Sequence, residues 1–139
     1  VTANLIHHWA NKGCSVTLVT LAKKDTDFFC LHSSVRRIEL GLVGGAGNMA
    51  KRIYFNIRRI ISLRRVLREH KPDVALAMIN TNNIILSFAA RGISDLAAVG
   101  SERTYPPCVP LGFFLEWVRS WSYGNLSALV AQTAKSGEW

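Results

Sequence analysis

Gly13-Cys14-Ser15-Val16-Thr17-Leu18-Val19-Thr20-Leu21, with Leu5, Ile6, Trp9 and Ala10 just ahead of it, is the stretch on which the fold turns. The four leading apolar residues recur one helical turn apart, and Gly13 follows where a helix C-terminus favours a residue free to take positive φ. From Ser15 to Leu21 the chain is β-branched and almost continuously apolar, as in a strand covered on both faces. A helix that passes through glycine into such a strand is the repeating unit of a parallel α/β sheet.

The alternation continues outward from there. Val35 to Leu40 reads as a second, weaker strand. After the glycine cluster Gly41 to Gly47, the segment Lys51 to Lys71 has no Gly or Pro and stops at Pro72, which predicts the longest helix. Asp73 to Ile79 is a short apolar strand, and Asn80 to Asn83 supply cap chemistry for a helix running to Gly92. Leu96 to Gly100 is a further strand. A Pro-rich turn from Tyr105 to Pro110 leads into an aromatic helix from about Phe113 to Tyr123, and Ala128 to Gln132 closes as another apolar strand. The fold class is therefore α/β, a Rossmann-like parallel sheet with helices on both faces and no strand with a wet side. In such sheets a leading strand feeds the first helix and lies at the centre. None precedes Leu5, so the first central strand is expected to be missing and the chain to fold poorly by itself or to expose a sticky gap in its sheet.

The length, 139 residues, suits one domain covering 1–139, and a composition of 49% hydrophobic and 19% charged residues excludes a disordered or fibrous chain. Seventeen Lys and Arg against nine Asp and Glu leave a net charge of +8, which favours phosphorylated ligands, polyanions or anionic lipid headgroups. Cys14, Cys30 and Cys108 form no C-x-x-C pair, so a reducing, cytoplasmic setting is expected, without a disulfide framework or zinc. Apolar runs fall far short of the roughly 20 residues of a membrane span. His7, His8, His32 and His70 have no ligand spacing, and no metal is expected.

Several motifs carry two meanings. Gly45-x-Gly47-x-x-Ala50 matches a dinucleotide fingerprint, but the following strand ends in Ile79-Asn80 without the acid that a ribose needs, so a glycine-rich surface loop is preferred. Asp25-Thr26-Asp27 could share a divalent cation; with no third ligand, a solvated loop is preferred. Lys51 to Lys71 holds eight of the basic residues and one acid, Glu69. Its Ile53, Ile57, Ile60, Ile61 and Leu67 form a stripe expected to dock on the sheet, leaving Arg58, Arg59, Arg65 and Arg68 for an anionic membrane surface or for water. Nucleic acid is not expected, because no helix-turn-helix, zinc-finger or RNP pattern accompanies the charge. Phe113, Phe114, Trp117 and Trp121 share a helical face, whose ordinary role is core, ahead of lipid or sugar stacking.

Asn80-Thr81-Asn82-Asn83 and Ser101-Glu102-Arg103-Thr104 each follow a strand. In an open parallel sheet ligands bind beyond the carboxyl ends of the strands, so both stretches should face one crevice, with capping and ion pairing as their plainer roles. At these residues the chain resembles the N-terminal domain of a family 4 type glycosyltransferase with a GT-B fold. The resemblance spans nearly the whole chain, through Leu5 to Leu21, Lys71-Pro72-Asp73-Val74, Thr81-Asn82-Asn83-Ile84, Ala89-Ala90-Arg91-Gly92, Ser101-Glu102-Arg103, and Tyr123 with Leu129-Val130-Ala131-Gln132-Thr133.

What the resemblance implies is transfer of a sugar from a nucleotide-diphosphate donor to a glycan or lipid-linked acceptor, in cell-envelope polysaccharide or glycoconjugate synthesis. This half would hold the acceptor at Asn82, Asn83, Ser101, Glu102 and Arg103, with no cofactor beyond the donor substrate; the expected place is the cytoplasm, free or, through the basic helix, peripheral on the cytoplasmic membrane face. The family's glycine-rich first turn and its donor-gripping C-terminal domain are not in this stretch. No glutamate pair here has the family's Glu-x7-Glu spacing, so the fragment alone is expected to be inactive. Asn80 stands where many members have a histidine, and no catalytic base is assigned. Two other classes remain open: a dinucleotide-binding enzyme using Gly45 to Ala50, and a non-catalytic basic module for membrane or nucleic acid.

Overall fold

The structure, a computed structural model, describes residues 2–22, 32–44, 47–103 and 113–133. Its elements follow the order α1 (Thr2–Asn11), β1 (Thr17–Thr20), β2 (Arg36–Glu39), α2 (Met49–His70), β3 (Val74–Met78), α3 (Asn80–Ala90), β4 (Ala97–Glu102), α4 (Phe113–Tyr123) and β5 (Ala128–Ala131). Every strand pair is parallel. The strands form two sheets, β1-β2 and β3-β4-β5, in a mixed α/β fold consistent with a Rossmann-like fragment. The chain gathers into two compact units, Val1–Phe55 and Asn56–Trp139.

In the first unit, α1 ends as its glycine predicts. Gly13 takes φ 80°, and the Cys14 N–H reaches back to the Trp9 carbonyl at 3.0 Å, satisfying an acceptor that the helix end leaves open. β1 and β2 pair from Thr17 with Arg36 to Thr20 with Glu39. Asn48 begins α2 by accepting the Lys51 N–H on its side-chain oxygen at 3.0 Å, an N-cap that the glycine-rich stretch conceals in the sequence.

The second unit is built on β4. Its residues alternate between half-buried and buried, with Ala98, Gly100 and Glu102 turned inward, the period-two signature of a strand with one face under cover. α3 supplies that cover through Leu86, Ala89 and Ala90, joined by Leu67 of α2 and flanked by Ile60, Leu63, Ala75, Ala77 and Leu126. Gly100 is needed for this closeness: a Cβ there would lie 2.8 Å from Leu126 Cδ1, 3.0 Å from Leu129 Cδ1 and 3.3 Å from Asn83 Cγ. Arg64 crosses from α2 to the end of α3, donating to the carbonyls of Ala89 at 2.8 Å and Arg91 at 2.6 Å. A cation at a helix C-terminus also opposes the dipole of that end.

Three expectations of burial are overturned. Ile53, Ile57 and Ile61 of α2 are exposed, because Ile60, Leu63 and Leu67 take the docking face. Trp117 and Trp121 of α4 are exposed, whereas Arg119 and Ser122 are fully buried. Arg119 ion-pairs with Glu116 one turn earlier, at 2.5 Å, and Trp121 lies against Phe88, ring centroids 5.4 Å apart, with the Arg91 guanidinium over its ring. The side chains of Phe113 and Phe114 lie outside the described residues. In β5, Ala128, Leu129 and Val130 are exposed, so not every strand lacks a wet side.

Candidate functional site

β3 and β4 run side by side with Met78 opposite Ser101, which sets Asn80–Asn83, just past β3, and Ser101–Arg103, at the end of β4, at two neighbouring carboxyl ends. The turn between β3 and α3 is made by Ile79 at φ 76° and ψ 140°. A β-branched side chain is strongly disfavoured there, at a cost of about 1–3 kcal/mol, and such residues concentrate at functional sites. Two bonds hold the conformation: the Ile79 N–H donates to the Ser101 carbonyl at 3.1 Å, and its carbonyl accepts the Asn83 N–H at 3.0 Å. The Ile79 side chain stays exposed.

Behind this turn lies a buried polar network. Asn83 is wholly inaccessible and Glu102 is only 4% exposed. The Asn83 side chain grips the backbone of Ser101 at both ends, its Nδ2 donating to the carbonyl at 3.2 Å and its Oδ1 accepting the N–H at 3.3 Å. The same Nδ2 donates to Tyr123 Oη at 3.3 Å, and Tyr123 Oη donates to Glu102 Oε2 at 2.6 Å. Burial, and next the hydrogen bond to Glu102, hold the Tyr123 phenol well above its ordinary pKa. It therefore remains a hydrogen-bond donor throughout the neutral range.

The five residues expected at the crevice thus separate into two tiers. Asn82 is exposed, and Ser101 and Arg103 are half-buried. Asn82 Nδ2 bonds the Met78 carbonyl at 3.0 Å, and Arg103 Nη1 rests 3.8 Å from Met78 Sδ. These three can meet a ligand. Asn83 and Glu102 stand behind them and fix the ends of β4 and α4. Tyr123 joins the site although only its place in a motif, and no chemical argument, singled it out in the sequence.

Such a set offers hydrogen bonds to a polar ligand, hydroxyl-bearing or anionic: an amide, a hydroxyl and a guanidinium on the accessible side, with a buried polar layer behind them. Among the described residues no three His, Cys, Asp or Glu gather to hold a metal ion. Asp25–Asp27 and the Pro-rich turn Tyr105–Pro110 lie outside the described residues, as do Gly45 and Ala46 of the dinucleotide-like motif. Gly44 and Gly47, which flank that pair, take φ 146° and 135°.

The four arginines expected on a membrane-facing surface also separate. Arg58, Arg65 and Arg68 are exposed, whereas Arg59 is half-buried and donates to Asn56 at 2.9 Å. No helix among the described residues is long and apolar enough to cross a membrane. The chain matches no protein-family model and no curated protein sequence.

Proposed function

We propose that this chain is the acceptor-holding half of a GT-B type glycosyltransferase, which in the whole protein passes a sugar from a nucleoside diphosphate to a glycan or lipid-linked acceptor in the cytoplasm. One observation carries the reading: Asn82 in the first turn of α3, and Ser101 and Arg103 at the end of β4, lie at the carboxyl ends of two adjacent parallel strands, where open α/β sheets take their ligands. The braced layer of Asn83, Glu102 and Tyr123 behind them supports it, because a reacting hydroxyl must be held in one pose to gain from proximity.

In this reading Arg103 and Asn82 orient the acceptor hydroxyls, Ser101 adds a short-range donor, and the donor nucleotide is gripped by another domain. Amide-resolved NMR titration of the chain tests it. Acceptor-type oligosaccharides should shift the signals of Asn82, Ser101 and Arg103, and Arg103→Ala should weaken that binding with the fold intact. Shifts confined to Gly45–Ala50 on adding a nicotinamide dinucleotide would assign the chain to the dinucleotide-binding class instead. Oligosaccharides that leave all three residues unmoved would sink the acceptor-side assignment.

A further inference from the structure

At about 100° per residue, Ile60, Leu63 and Leu67 fall in one narrow sector of α2, and all three belong to the core of the second unit. Ile57 lies about 60° and Ile61 about 100° beyond Ile60 at the edge of that sector, at 50% and 56% exposure. They share their side of the helix with Arg58, Arg65 and Arg68, all exposed, the five lying within about 100° of arc. Arg64 reaches the end of α3 and Arg59 bonds Asn56.

We propose that this outer face of α2 docks on an anionic phospholipid surface, with Ile57 and Ile61 entering the headgroup–acyl boundary and Arg65 and Arg68 on the lipid phosphates. The proposal rests on α2 alone and does not depend on sugar transfer. Ile57 and Ile61 give this face an apolar surface beside its cations. A nucleic-acid backbone would satisfy the cations equally well, yet it offers the isoleucines no hydrocarbon. A lipid surface supplies both, since an interfacial helix places its apolar side chains about 5–10 Å into the boundary while its cations stay at the phosphates. The charge is complementary too: α2 and Lys71 carry eight basic residues and one acid, and each cation near an anionic leaflet strengthens binding about fivefold.

Vesicle sedimentation of the whole chain tests this, with phosphatidylcholine alone, phosphatidylcholine mixed with phosphatidylglycerol, and duplex DNA as a rival polyanion. Binding should need phosphatidylglycerol and weaken with salt. Arg65→Gln with Arg68→Gln should weaken vesicle binding on the order of 10- to 30-fold. Ile57→Ser with Ile61→Ser should weaken vesicle binding roughly tenfold and leave DNA binding unchanged. All four side chains are exposed, and an unchanged melting temperature will show that each variant is folded. Equal binding to neutral vesicles, an isoleucine variant that sediments like the wild type, or DNA binding tighter than vesicle binding would overturn the proposal.

Discussion

Replacing Asn83 by alanine tests whether the polar layer beneath the site is a structural element in its own right. The substitution removes all three hydrogen bonds of a side chain with no solvent access. The Ser101 carbonyl keeps the Ile79 N–H, Tyr123 keeps Glu102, and the register that sets Ser101 opposite Met78 keeps the Ser101 N–H on the backbone of β3, so no partner is orphaned. Three hydrogen bonds at about 0.5–1 kcal/mol each and about 1 kcal/mol for the unfilled side-chain volume make up the cost. The expected loss is about 3 kcal/mol, or about 10 °C in melting temperature for a chain of this size. Asn83→Asp keeps the acceptor for Ser101 N–H but turns a second oxygen toward the Ser101 carbonyl and the Tyr123–Glu102 pair. Its loss at neutral pH should be at least as large. Urea unfolding followed by circular dichroism gives both values. An Asn83→Ala variant within about 0.5 kcal/mol of wild type would refute the claim that this residue joins β4 to α3.

Gly100→Ala should cost about 1–3 kcal/mol by overpacking, since the new Cβ meets two leucine methyls and Asn83; the urea midpoint measures it. Arg64→Met, which keeps the aliphatic stem but loses both carbonyl contacts at the end of α3, should cost about 1–3 kcal/mol, and hydrogen exchange should show Ala89 and Ala90 opening first. Ile79→Gly should raise stability by about 1 kcal/mol, relief of strain exceeding the added backbone entropy; a loss of stability would mean that φ 76° costs isoleucine nothing here. The folded pKa of Tyr123 is raised above the ordinary 10.0, so its contribution is fully present below that value and is lost as the pH climbs toward the folded one. Tyr123→Phe should flatten the alkaline decline in stability, and an unchanged alkaline limb would contradict the hydrogen-bonded geometry.

The sequence carried the order of elements because its punctuation is chemical. Gly13, Pro72 and Gly92 each stand where a helix has to stop, and the β-branched runs between them have few alternatives to strand. The facing of the helices was not legible in the same way. α2 has Ile53, Ile57, Ile60, Ile61, Leu63, Val66 and Leu67 spread over more than half its circumference, so spacing alone selects no docking face. The selection comes from the partner: the small residues Ala89, Ala90 and Ala98 admit the Ile60–Leu67 side. α4 misleads because a charged residue, Arg119, is the buried one on it, its charge met by Glu116.

Asn82 and Asn83 show most sharply where residue type stops being informative. They are chemically identical neighbours, one exposed to any ligand and one sealed beneath it. The phase of α3 decides between them, and that phase is set at Ile79 by a backbone conformation that no propensity assigns to isoleucine. The same division governs how the site must be probed. Substitutions at Asn83 or Glu102 disturb the packing of β4 against α3 and α4, so lost activity there would not distinguish chemistry from stability. Asn82, the Ser101 hydroxyl and Arg103 lie on the accessible side of that layer. Substitutions at these three separate the two: a variant that melts like wild type and no longer takes up an acceptor would locate recognition at the surface, with the buried layer serving only to hold it still.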